Sequence, residues 1–66
     1  MDWDRIEGNW KQFTGKVKEK WGDLTDDEIA QTNGKREQLE GLVQKKYGYA
    51  KDKVREEVDT WSRDLK

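Results

Sequence analysis

Cysteine, histidine and proline are all absent from this 66-residue chain. Without cysteine there is no disulfide staple, no thiolate nucleophile and no thiolate metal ligand. Without histidine the commonest general base and the commonest transition-metal ligand are missing as well. The two absences together argue against catalysis and against a transition-metal site, so no catalytic, cofactor-binding or metal-ligating residue is expected. Long apolar runs are lacking too. Charged residues interrupt every candidate, which excludes a signal peptide or membrane span and makes the cytoplasm the expected location. Leu, Ile, Val and Phe make up only about 17% of the chain, under the ~20% at which disorder becomes a serious reading.

Other features oppose disorder. Fourteen Lys and Arg nearly cancel fifteen Asp and Glu, leaving a net charge of −1, so the strong self-repulsion of disordered chains is missing. Four tryptophans supply large apolar units for a small core. The length fits one domain at most, residues 1–66, and such a chain buries only about 60% of the surface its unfolded form exposes.

Trp3, Ile6, Trp10, Phe13, Val17 and Trp21 recur three or four residues apart, which places them in one stripe of a helix. Asp2 or Asp4 can cap its start, the latter with Glu7 as box partner, and Gly22 suits the residue beyond its end. In the following "DLTDDEIA", Thr25 and Glu28 form a capping box and Leu24 and Ile29 a hydrophobic staple. A short helix is therefore expected from about Asp26 to Thr32, with Asn33-Gly34 as a stop or bend.

The segment from Gly34 to Gly48 repeats the one from Gly8 to Gly22 at an offset of 26 residues. Gly8, Gln12, Phe13, Gly15, Val17, Lys20, Trp21 and Gly22 align with Gly34, Gln38, Leu39, Gly41, Val43, Lys46, Tyr47 and Gly48. Two units are too few for a solenoid. Leu39, Leu42, Val43 and Tyr47 form a second apolar side, and Ala50, Val54, Val58, Trp61 and Leu65 a third. Either Gly48 divides two helices or one helix runs on from about Lys35 to Leu65, because residues eleven apart keep the stripe in phase. The break is favoured, since a folded monomer needs its helices to double back.

Gly8, Gly15 and Gly41 fall inside the expected helices, where each costs about 0.5 to 1 kcal/mol relative to Ala. A core this small supplies only about 3 to 5 kcal/mol of net stability. Either the helices are built to be marginal, or a partner approaches on the glycine side, or the glycines are simply tolerated on a solvated face. The aromatic stripe reads as core, with Trp61, near a frayable helix end, and Trp3 as candidate exposed contacts. Lysines 16, 18 and 20 and the group Lys45, Lys46, Lys51, Lys53 and Arg55 alternate with acids, which points to a solvated mixed-charge surface and away from nucleic acid. Pairs such as Glu7 with Lys11, Lys53 with Glu57 and Asp59 with Arg63 sit at helical spacing. Asp23, Asp26, Asp27 and Glu28 lack the spacing of a calcium loop, so capping explains them better.

"GNWKQFTGKVKEKWGDLTDD" and "GKREQLEGLVQKKYGY" resemble the CsbD-like family of small bacterial stress-response proteins, particularly its enterobacterial YjbJ-type branch. The residues that carry the resemblance are Gly8, Asn9, Trp10, Gly15, Lys16, Val17, Trp21, Gly22, Gly34, Gln38, Gly41, Tyr47 and Gly48. The resemblance implies an all-α bundle of about four helices arranged as two crossed hairpins, like the SAM domain, made under general or osmotic stress and not an enzyme. Two functions are then in play: a hydrophilic protectant or weak interaction module, and a stably folded module for one specific protein partner.

Overall fold

A computed structural model describes residues 3–65. Among them five helices run in the order α1 (Trp3–Gly8), α2 (Trp10–Lys20), α3 (Asp26–Gln31), α4 (Arg36–Tyr47) and α5 (Lys51–Asp64). The all-helical class is as expected; the count differs because the first expected helix divides. Gly8 and Asn9 are both weak helix formers. At Asn9 the backbone leaves helical geometry (φ −119°, ψ 34°), and its side-chain amide donates back to the Arg5 carbonyl at 3.0 Å. Asp4 lies within the first turn of α1 and is no cap; Asp2 lies outside the described residues.

The other boundaries follow local chemistry. Thr25 caps α3 by accepting from the Glu28 amide, and Glu28 accepts from the Thr25 amide at 3.0 Å, completing the capping box. Both staple residues, Leu24 and Ile29, are buried. The stop after α3 places Asn33 and Gly34 consecutively in left-handed conformation (φ 54° and 78°). Gly48 is left-handed as well (φ 68°), donates its amide to the Gln44 carbonyl and ends α4. This settles the choice left open by the in-phase stripe: two helices, not one.

α2 packs against α3, α4 against α5, and α1 against α2. The stripes of all five helices meet in one core of Ile6, Trp10, Val17, Trp21, Leu24, Ile29, Leu39, Val43, Val54, Val58 and Trp61. The radius of gyration is 10.6 Å, against about 10.8 Å expected for a compact chain of this length and about 25 Å for an unfolded one. The repeated segments share their buried faces: Val17 and Val43 are completely buried, and Gly15 and Gly41 both face open space. They differ at their ends. Gly8 is exposed, whereas Gly34 is buried where α1 docks.

Gly34 carries two constraints at once. Its φ is left-handed, and a Cβ there would lie 3.0 Å from the Cα of Glu7. Gly34→Ala should therefore lose about 2 to 3 kcal/mol. Gly48→Ala has the same φ problem but nothing within 4 Å, so its expected loss is about 1 kcal/mol. Urea melts of the two variants check this order; equal losses would show that the Glu7 contact is unimportant.

Candidate functional site

The residues singled out from sequence are distributed over the molecule. Trp10, Val17 and Trp21 belong to the core. Tyr47 is half-buried, and its hydroxyl accepts from the Asp23 amide at 3.2 Å, tying the end of α4 to the turn before α3. Gly34 and Gly48 make turns. Asn9 interrupts the first helix, and Gly8, Gly15, Lys16, Gly22, Gln38 and Gly41 are exposed. The motif therefore combines core, turn and surface positions.

What the sequence residues do build is a chain of four tryptophans. Trp3 lies between Trp10 (6.3 Å between centroids) and Trp61 (5.9 Å), and Trp61 packs on Trp21 at 5.6 Å. All three contacts are tilted, as ring quadrupoles prefer. Three of the four indole N–H groups are anchored across the fold. Trp3 donates to the Gly34 carbonyl at 2.8 Å, Trp10 to the Ile29 carbonyl at 3.1 Å, and Trp21 to the Glu57 carboxylate at 3.1 Å. The expected exposure of Trp61 is thereby corrected. It is only 6% exposed, because α5 continues to Asp64 and holds it between Trp3 and Trp21. Trp3 is half-buried against the same cluster.

Charged groups reinforce this core across helices. Arg36 donates to Glu40 at 2.8 Å and to Asp59 on α5, and its guanidinium lies 5.8 Å from the Trp3 ring centroid. Burial disfavours the Arg36 charge, but the bonds to Glu40 and Asp59 outweigh it and hold its pKa above the ordinary arginine value. The Glu40 side chain is only 11% exposed, so Arg36 compensates a nearly buried carboxylate. Glu7 pairs with Lys35 at 3.2 Å, Lys18 with Asp26 at 3.4 Å and Lys46 with Glu28 at 2.8 Å. The pairs expected at helical spacing are replaced: Glu7 reaches Lys35 in place of Lys11, Asp59 takes Arg36 in place of an ion pair with Arg63, and Lys53 lies 4.4 Å from the Tyr49 ring centroid. Spacing along one helix is blind to the Glu7–Lys35 and Arg36–Asp59 contacts, which depend on how separate elements face each other, whereas Lys53 and Tyr49 are only four residues apart.

A shallow depression of about 590 Å³ is lined by residues of α3, α4 and α5, including Glu28, Glu40, Gly41, Leu42 and Val54. Two of its carboxylates are engaged already, Glu28 with Lys46 and Glu40 with Arg36, and the third, Glu37, is exposed. Among the described residues no group of three or more acidic side chains is placed to hold a metal ion. Among the described residues no helix is long and apolar enough to cross a membrane.

Comparison with known proteins places the chain in a sequence family. The CsbD-like family model matches residues 4–56, and the chain belongs to that family. It is similar to UPF0337 protein RPA4217 of Rhodopseudomonas palustris, at 64% identity over the full length of both chains. It is 56% identical to UPF0337 protein YjbJ of Escherichia coli (strain K12), over 92% of this chain and 88% of the relative. UPF0337 protein Atu4724 of Agrobacterium fabrum is 62% identical over 92% of this chain and 91% of its own. No solved structure matches.

Two predictions follow from the charged contacts. Arg36→Ala should lose about 2 kcal/mol by urea melt, and less in a background already carrying Glu40→Ala; additive losses would mean the two residues act independently. The hydrogen bond from Lys46, with the Thr25 amide adding to it, holds the Glu28 carboxyl below its ordinary range. A depressed carboxyl stabilises the fold above its unfolded pKa of about 4.3 and loses that contribution as pH falls through the folded value. The stability gap between wild type and Glu28→Gln should thus be full at neutral pH and close in acid. A gap independent of pH contradicts this assignment.

Proposed function

We propose that this protein is a non-enzymatic stress-response protein of the bacterial cytoplasm, a hydrophilic protectant built from marginal amphipathic helices. In this reading the α2–α3 and α4–α5 pairs are the two crossed hairpins of a SAM-like monomer. The apolar stripe is closed on itself in dilute solution. Loss of water opens it, and it then covers apolar surface that drying exposes on other molecules.

The observation that carries the proposal is the setting of Gly15 and Gly41. Both lie inside helices, at equivalent places in the repeated segments, and neither has an atom within 4 Å of where a Cβ would stand. Close packing therefore gives no reason for either glycine, while each weakens its helix by about 0.5 to 1 kcal/mol. In a domain whose net stability is about 3 to 5 kcal/mol, that loss adjusts how readily the helices open. Membership of the CsbD-like family supports the stress context. For the alternative, a module for one protein partner, Trp61 is withdrawn into the core, which leaves the open side of Gly15 and Gly41 as its contact surface.

A drying-sensitive reporter enzyme should keep more activity after dehydration with this protein than with an equal mass of an inert protein; equal survival would refute the proposal. The doubly substituted Gly15→Ala/Gly41→Ala protein should be more stable by about 1 to 2 kcal/mol. Its protection per unit mass should fall, because the stripe opens less readily. Unchanged protection from the stabilised variant would break the link between marginal helices and function.

A further inference from the structure

α2 carries a charge arrangement of which the closed fold uses only Lys18, in its pair with Asp26. It holds four lysines and one glutamate, in a chain whose net charge is −1. At about 3.6 residues per turn, Trp10, Phe13 and Val17 lie along one side, with Trp21 continuing that side just past the last turn. Lys11 and Lys18 fall along one border of this apolar sector, and Lys16 and Lys20 along the other. Gln12, Gly15 and Glu19 occupy the side opposite. All four lysines are exposed.

This is not the distribution a nucleic-acid helix needs. A phosphate backbone is met by cations massed on the outward face, where α2 has Glu19 and a glycine. Two cationic borders flanking an aromatic and aliphatic stripe suit an anionic lipid surface. The stripe enters the acyl boundary, and the lysine stems run along it and lift their ammonium groups to the lipid phosphates. The fold delimits α2 as a unit, with the interruption at Asn9 before it and the Trp21–Gly22 turn after it. Of the acids that follow, Asp26 pairs directly with Lys18 at 3.4 Å in the closed state, while Glu28 is taken by Lys46 of α4.

We infer that the partner of the opened protein is an anionic lipid surface, with α2 lying in the interface, Trp10, Phe13, Val17 and Trp21 turned to the acyl chains and Lys11, Lys16, Lys18 and Lys20 to the phosphates. The inference rests on the protectant reading, since the stripe must leave the core before it can insert.

The test mixes the full-length protein at low salt with vesicles of phosphatidylglycerol and phosphatidylcholine in equal parts, or of phosphatidylcholine alone. Samples are partly dehydrated, rehydrated and floated. The expected result is recovery with the anionic vesicles about fivefold above that with the neutral ones, and quenching of tryptophan emission by brominated acyl chains. Lys16→Glu/Lys20→Glu should lower the bound fraction about fivefold, while Lys45→Glu/Lys51→Glu, an equal charge change away from α2, should lower it less than about twofold. Far-UV circular dichroism checks that both variants keep their helices. Equal losses in the two variants, or binding without quenching, would overturn the insertion of α2. Reporter-enzyme protection measured alongside separates the two levels. Protection without vesicle binding overturns the lipid partner alone, and absence of both overturns the protectant reading with it.

Discussion

The packing of Trp3 between Trp10 and Trp61 is the contact on which the rest of the fold depends. Trp3 stands at the start of α1, Trp10 at the start of α2 and Trp61 in the last turns of α5, so this one cluster ties the beginning of the described chain to its end. Aliphatic side chains are scarce in the sequence, and the indoles provide much of the apolar area that closes the core. Each anchored indole N–H also fixes a distant turn or helix: Gly34 through Trp3, Ile29 through Trp10, Glu57 through Trp21. Arg36 covers the Trp3 ring from α4 and draws α5 in through Asp59.

Much of this was legible along the chain. Helical spacing of apolar residues identified the buried faces, and the Thr25–Glu28 box with its Leu24–Ile29 staple identified the start of α3, because these signals are local. The break at Gly48 follows from the need of a monomer to fold back, and the left-handed φ of that residue supplies the physical means. The interruption at Asn9 is not evident from spacing. Gly-Asn is a helix-stop dipeptide in its own right, but the unbroken apolar stripe on either side masked it. The burial of Trp61 and the Arg36–Asp59 contact depend on which helices face each other, and one-dimensional spacing does not carry that information; the Arg36–Glu40 pair, four residues apart in α4, is legible in the sequence.

Two kinds of glycine emerge. Gly34 and Gly48 are required by backbone geometry, and Gly34 also by the close approach of Glu7. Gly15 and Gly41 are required by neither, and no atom of this chain lies within 4 Å of where a Cβ would stand at either. The same helices that close a tryptophan core are kept weak on their outer faces. That combination suits a protein whose apolar stripe must be hidden in water and available without it, and α2, bordered by lysines on both sides of the stripe, is the segment best equipped to meet a phosphate-rich surface.

The measurement that bears most directly on this account is a urea melt of one dilute sample, followed both by tryptophan emission and by far-UV circular dichroism. A tryptophan core on marginal helices gives buried-indole emission without urea and coincident transitions, with a net stability of about 3 to 5 kcal/mol. Emission already that of solvent-exposed indole in the absence of urea, or helix signal lost at a different urea concentration from the tryptophan signal, would contradict it.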